Sequence, residues 1–152
     1  MTTLASRPAA PARVRRDWWI PASLLALPAV PALSGALRLA DLSGGRTEEN
    51  ARFFDLPVPI VVHIIGATTF CVLGAFQFQP SLRRRRPRWH RWSGRVLVPA
   101  GIAGGVSGIW MAVWSDVPTY DNAALMVLRV VFGSLMVVAL VLGLRAVLRR
   151  DI

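Results

Sequence analysis

Four long apolar stretches, separated by shorter polar ones, dominate the chain. They lie at about residues 18–37, 57–78, 95–114 and 122–147. About twenty apolar residues in helical conformation match the hydrocarbon thickness of a bilayer, and each stretch reaches that length. The pattern therefore predicts an all-α integral membrane bundle with four transmembrane helices.

The segment before the first apolar stretch has no hydrophobic period. Residues 1–16 are rich in Ala, Pro, Thr and Arg, which predicts a disordered basic tail ahead of a transmembrane domain over 17–152. A basic segment followed by an apolar one also describes a signal peptide. The apolar stretch is long for a signal, and Trp18 and Trp19 suit a membrane interface. A retained first helix is therefore predicted, with kinks at its prolines, Pro21, Pro28 and Pro31.

Small and polar residues share one face of the second stretch. At about 100° per residue, five residues of this face fall close to His63, four of them small or polar: Gly66, Ala67, Phe70, Gly74 and Gln77. Helices in lipid turn such faces toward one another, so His63 is predicted to face protein. The third stretch carries a glycine face that predicts close approach to a neighbouring helix: Gly101, Gly105 and Gly108, with Gly104 nearby.

The arginines set the expected orientation. The formal net charge is +10, and all 18 basic residues are arginine. Fourteen of them lie in the tail, in the connection between the second and third stretches, and at the C-terminal end. The positive-inside rule then predicts a multi-pass protein of the cytoplasmic membrane, with both ends in the cytoplasm.

The connection over 77–95 holds seven arginines between two apolar stretches. In a soluble protein this charge would favour nucleic acid, but beside two spans it predicts a topology signal that binds anionic lipid headgroups. The predicted interfacial and lipid-binding residues are Arg83, Arg84, Arg85, Arg86, Arg88, Trp89, His90, Arg91, Trp92 and Arg95. Gln77 and Arg95 flank the connection, and a hydrogen bond between them is predicted to set the register of the helical hairpin.

Two chargeable residues lie well inside apolar stretches and form a candidate polar membrane site. His63 and Arg129 are at similar depth, because both of their helices enter from the same side. One interpretation is a site for an anion or a quinone headgroup, with Asp116 or Asp121 as the partner of Arg129. In the other, Arg129 extends to the headgroups and His63 donates an interhelical hydrogen bond.

His90 raises a haem interpretation, which the spacing disfavours because His63 and His90 lie toward opposite ends of their helices. The chain has one cysteine, Cys71, so no internal disulfide or CxxC motif is possible. No nucleophile–base pair and no metal-ligand spacing stand out in the sequence. Neither a catalytic residue, a metal site nor a cofactor is predicted.

Three segments of the chain resemble a known family of membrane proteins. They are GAFQFQPSLRRRRPRWHRWSGRVLVPAG, SGIWM and LRVVFGSLMVVALVLGLRAVLRRDI. They are similar to the DUF2306 family of predicted bacterial membrane proteins, from about residue 57 onward. The resemblance implies a membrane location and no established activity. It also implies a truncated member, because the family typically continues past Arg-Arg-Asp-Ile into further membrane helices.

Three functions follow as hypotheses. The first is a non-enzymatic membrane or assembly component, acting as a homo-oligomer or with a second membrane subunit. The second is a membrane redox protein that contacts haem or quinone through His63 or His90. The third is a small transporter component with Arg129 in an anion path.

Overall fold

A computed structural model describes residues 18–55, 57–115 and 122–149, without the side chain of Arg52. Helix accounts for 88% of the described residues, among which there is no strand, and this confirms the all-α class. The predicted basic tail and the two aspartates proposed as partners of Arg129 lie outside the described residues.

Seven helices make up the described chain. In order they are α1 (Trp19–Ala26), α2 (Ala29–Ser43), α3 (Ala51–Asp55), α4 (Pro57–Gln77), α5 (Pro80–Arg85), α6 (Pro87–Trp114) and α7 (Ala123–Arg149). Three of them, α4, α6 and α7, are long and apolar enough to cross a bilayer. The pair α1 and α2 passes the same test together, with a bend of 52° between them, so there are up to four spans.

Only one of the three prolines of the first stretch breaks the helix. Pro28 lies between α1 and α2, while Pro21 and Pro31 are each the third residue of a helix. A proline in the first turn removes no intrahelical hydrogen bond, because those N–H groups have no helical partner. At 1.5 Å per residue the bent pair extends about 30 Å from end to end, which is the thickness of the hydrocarbon core.

The closest packing in the fold is between α4 and α6. A Cβ atom built on Gly66 would lie 2.8 Å from the Ala100 carbonyl oxygen and 2.9 Å from the Gly104 nitrogen. One built on Gly104 would lie 3.0 Å from the Ala67 nitrogen. The two backbones therefore touch, which only small residues allow. Phe70 packs on Gly101 in the same seam, so the predicted contact face of the second stretch is confirmed.

Helix α6 is central because α7 packs on its other side. A Cβ atom on Gly105 would meet Val137 and Met136, and one on Gly133 would meet Ile109. The predicted glycine face of the third stretch is confirmed, and it serves two neighbours rather than one. Helix α7 has no buried residue among those described, so most of its surface is exposed outside its contact with α6.

The connection between α4 and α6 is more helical than expected. It was predicted as a loop over 77–95, yet α5 lies within it and α6 begins at Pro87. Both α5 and α6 start at a proline, whose fixed φ suits the first helical position and whose missing N–H costs nothing there. This short helical segment rests on the ends of α4 and α6.

Candidate functional site

Two groups of hydrogen-bonded polar residues, one around Ser93 and one formed by Gln79 and Ser81, lie where α4 ends and α5 and α6 begin. Together we call them the polar junction, and its members are Gln77, Gln79, Ser81, His90 and Ser93. Gln79 and Ser93 are completely buried, at 0% exposure each. Polar side chains this deeply buried need hydrogen-bond partners, so their bonding determines what the cluster can do.

Ser93 is the centre of the hydrogen bonding between α4 and α6. Gln77 Nε2 donates to Ser93 Oγ at 2.6 Å, and the Ser93 hydroxyl donates to the Trp89 carbonyl at 2.8 Å. Gln77 Nε2 also approaches the His90 carbonyl at 3.4 Å. These bonds join α4 and α6 at this end of the hairpin.

The predicted partner of Gln77 was wrong. Arg95 is exposed, and the Gln77 amide instead bonds Ser93, two positions earlier on α6. Two residues of helix correspond to a rotation of about 200°, so Arg95 points to the opposite side of α6 from Ser93. The Gln77–Ser93 bond joins the two helices of the hairpin, and a role of Gln77 in hairpin register stays a prediction.

Two buried atoms of the polar junction have no hydrogen-bond partner in the described part of the chain. Gln79 Nε2 donates to Ser81 Oγ at 3.0 Å, but Gln79 Oε1 accepts nothing. His90 Nδ1 is likewise buried and without a partner. An unsatisfied buried polar atom costs about 1–3 kcal/mol.

The predicted lipid-binding arginines surround this junction. All seven are exposed: Arg83, Arg84, Arg85, Arg86, Arg88, Arg91 and Arg95. The ion pairs of the described residues, Arg38–Asp41 at 3.2 Å and Arg46–Asp55 at 2.9 Å, involve none of them. We call residues 80–95, which carry these seven charges, the arginine platform.

The two tryptophans of the arginine platform have different surroundings. Trp89 is half-buried, and its ring meets Phe76 edge-on, with centroids 6.2 Å apart. Trp92 is 59% exposed. Trp89 thus joins the start of α6 to the end of α4, while a place for Trp92 among lipid headgroups stays a prediction.

His63 makes an interhelical hydrogen bond in the apolar part of the bundle. Its Nδ1 lies 2.8 Å from the Gly104 carbonyl oxygen. A carbonyl only accepts, so the hydrogen is on Nδ1. The absent side chain of Gly108 leaves room for the ring, because a Cβ atom there would lie 3.0 Å from it. The prediction that His63 faces protein is confirmed.

This bond gives a modest stability prediction. His63→Leu should lower the free energy of unfolding by about 0.6 kcal/mol, the average for interhelical hydrogen bonds in membranes. His63→Asn, whose amide can also donate, should recover part of the loss. Thermal unfolding in detergent, followed by circular dichroism, measures both. Equal stability of the leucine variant and the wild type would show that the bond contributes nothing.

The hydrogen bond that His63 makes in the described chain goes to Gly104 and not to Arg129. The His63 ring lies against α6, and α4 and α7 each pack mainly on α6. Arg129 is exposed on α7 and has an interaction of its own. A joint site for these two residues stays a prediction.

His63 and His90 are at opposite ends of the α4–α6 hairpin. His63 precedes Gln77 by fourteen residues, and the Gln77 amide lies beside the His90 carbonyl. The two histidines are therefore separated by about 21 Å along the helix axis, and they cannot ligate one iron within one chain. Across the described residues, no three His, Cys, Asp or Glu side chains group in a way that could hold a metal ion.

Sequence reasoning missed Gln79, Ser81 and Ser93. Gln79 was placed in a polar connection, whereas it is among the most buried residues described. One signal was available: Gln77 and Gln79 alternate with Phe78 directly before Pro80. Amides at the very end of an apolar stretch, next to a proline that begins a new helix, are suited to bond across a helical junction.

The long apolar helices, packed through glycine seams, define an integral membrane protein of the helical class. Residues 60–152 match the family model described as "Predicted membrane protein (DUF2306)", and the chain belongs to that family. The match covers α4 except its first three residues, and all of α5 to α7, including the polar junction and the arginine platform, whereas α1 to α3 precede it. No curated protein and no solved structure matches the chain.

Proposed function

We propose that this protein is a non-enzymatic membrane or assembly component whose arginine platform binds anionic lipid headgroups at the cytoplasmic face of the cell membrane. One observation carries the proposal. Seven exposed arginines, none paired with a carboxylate in the described residues, lie at the end of two membrane-spanning helices. When these helices cross a bilayer, their ends lie in the headgroup region, and so do the arginines.

The energetics favour phosphate as the partner. Each Arg near an anionic membrane surface contributes about 1 kcal/mol of attraction. The attraction falls off within a Debye length of about 8 Å at physiological salt, so the charges must lie close to the surface. A guanidinium presents donors in a fork that matches two phosphate oxygens. Unpaired arginines remain available for such contacts.

The fold holds these arginines in place before a lipid arrives. Most of the arginine platform is helical, and the Gln77–Ser93 hydrogen bond and the Phe76–Trp89 contact fasten it to α4. Ordering a flexible loop on binding would cost side-chain and backbone entropy. A platform already attached to the bundle avoids much of that cost.

Lipid retention tests the proposal. Native mass spectrometry of the purified protein should show retention of phosphatidylglycerol over phosphatidylcholine. The double variant Arg83→Gln, Arg84→Gln should reduce that preference about tenfold. Each lost arginine removes roughly 1 kcal/mol of attraction to the lipid phosphate, and salt screening lowers that figure somewhat.

A matched control removes the same charge elsewhere. Arg38→Gln with Arg46→Gln deletes two arginines whose partners are Asp41 and Asp55. This pair should leave lipid preference unchanged. Equal losses in both double variants would mean that net charge alone attracts the lipid, and an unchanged preference in the first would refute the proposal.

A further inference from the structure

Three arginines and a tryptophan share one face of the first turns of α6. At about 100° per residue, Arg88, Arg91, Trp92 and Arg95 fall within about 100° of one another, on the side of the helix away from Ser93. All four side chains are exposed. Residues three or four apart on a helix have Cβ atoms about 5–6 Å apart, and each of the four has two such neighbours within the set. We call them the α6 arginine face.

The α6 arginine face has no carboxylate to balance its charge. The sequence contains no Asp or Glu between Asp55, which precedes α4, and Asp116, which follows α6. The ion pairs of the described residues lie elsewhere in the chain. Like charges three or four residues apart on a helix repel one another. An anion bound between these arginines would remove that repulsion.

The length of α6 places this face beside lipid phosphates. The helix has 28 residues and is therefore about 42 Å long, which exceeds the hydrocarbon core of about 30 Å. The part from Arg95 to Trp114 is long enough to fill that core, so the turns before Arg95 extend into the headgroup region. An exposed tryptophan such as Trp92 suits this boundary between acyl chains and headgroups. A lipid phosphate therefore fits the face better than a soluble anion does.

The number of arginines indicates the kind of phosphate. A guanidinium binds a pair of oxygens on one phosphorus through two parallel hydrogen bonds. A phosphodiester has two terminal oxygens and offers one such pair, whereas the three terminal oxygens of a phosphomonoester offer three pairs. Above its second pKa of about 6, a phosphomonoester also carries close to two negative charges. Three neighbouring arginines match a phosphomonoester in both respects.

We propose that the α6 arginine face binds a lipid phosphomonoester of the phosphatidic acid type in preference to phosphodiester lipids. Arg88, Arg91 and Arg95 surround the terminal phosphate, and Trp92 lies against the glycerol backbone. This inference rests on the lipid binding proposed above and adds the class of headgroup and the face that selects it.

The arginines of α5 have a different arrangement. Arg83, Arg84 and Arg85 are consecutive, so they point about 100° apart around their helix and do not share a face. They attract any anionic lipid through their charge. The α5 arginines therefore supply a control for the selectivity of the α6 arginine face.

Two lipids that differ by one methyl group test the inference. Phosphatidylmethanol is the methyl ester of phosphatidic acid, with one terminal oxygen fewer and a single negative charge. Native mass spectrometry at about pH 8, above the second pKa of the phosphomonoester, compares the two from an equimolar mixture with identical acyl chains. The wild type should retain phosphatidic acid about fivefold more. Arg91→Gln with Arg95→Gln should bring this ratio to about one.

Two further double variants separate the face from charge alone. Arg83→Gln with Arg84→Gln removes the same charge from α5, and it should lower the retention of both lipids while keeping their ratio. Arg91→Lys with Arg95→Lys keeps the charge of the face but not its planar forks, and it should reduce the ratio to roughly twofold or less. Thermal unfolding in detergent checks that each variant keeps the fold, which is expected because the changed side chains are exposed.

The outcomes are distinct. Equal retention of the two lipids by the wild type, with both retained over phosphatidylcholine, would overturn the inference and leave the proposed lipid binding in place. Retention of neither over phosphatidylcholine would refute the proposed function itself. An equal fall of the ratio in the α5 and α6 glutamine variants, or an unchanged ratio in the lysine variant, would overturn the assignment to this face. Displacement of phosphatidic acid by an equal concentration of soluble glycerol phosphate would also overturn the inference, because the ligand would then be a free phosphate ester.

Discussion

Gly66→Ala should lower the free energy of unfolding by about 3 kcal/mol, at the upper end of the usual cost of overpacking. The added methyl group would lie 2.8 Å from the Ala100 carbonyl oxygen, 2.9 Å from the Gly104 nitrogen and 3.2 Å from its Cα. All three are backbone atoms, so no side chain can rotate away. The two helices must separate, and the His63–Gly104 hydrogen bond one turn away would lengthen.

Gly94→Ala is the matched control. Gly94 is on α6, and a Cβ atom there would meet nothing within 4 Å. Alanine is favoured over glycine in a helix by about 1 kcal/mol, so this variant should unfold at the same temperature or higher. Thermal unfolding in detergent compares the two variants directly. Similar losses for both would contradict the prediction, because a loss at Gly94 cannot come from the close approach of α4 to α6.

The helix seams could be read from the sequence because they depend on periodicity alone. Helical spacing placed the small residues of the second stretch on one face with His63, and the structure packs that face on α6. The glycine face of the third stretch was found in the same way. The number of its neighbours was not, because periodicity does not say how many helices share a surface.

The polar junction was less predictable, for a physical reason. Its hydrogen bonds depend on where α6 begins, and an arginine-rich segment next to apolar stretches favours a loop. Once α6 starts at Pro87, Ser93 faces α4 and Arg95 faces away. The partner of Gln77 is therefore Ser93 and not Arg95, which lies two positions later on α6. Likewise, depth along a helix placed His63 and Arg129 at the same level, but could not show that α6 is the main packing partner of both their helices.

The orientation of the chain has the largest expected signal, because a topology reporter is either active or silent. We expect alkaline phosphatase, which is active only outside the cytoplasm, to be active when inserted in residues 44–49 and silent when fused after Ile152. The reason is that the arginine platform stays in the cytoplasm under the positive-inside rule. The α1–α2 pair then carries the chain across, since it extends about 30 Å despite its bend of 52°.

The two fusions separate the possible topologies. A silent phosphatase in residues 44–49, with an active fluorescent protein at the same point, would mean that α1 and α2 form a re-entrant segment. An active phosphatase after Ile152 would contradict the four-span topology and the cytoplasmic position of the arginine platform. Insertion in residues 116–121, between α6 and α7, is the control and should be active.

Replacing Arg83–Arg86 with serine should make part of the protein population insert the other way round, with phosphatase activity appearing after Ile152 and falling in residues 44–49. The reason is the loss of four of the charges that are expected to keep this end in the cytoplasm.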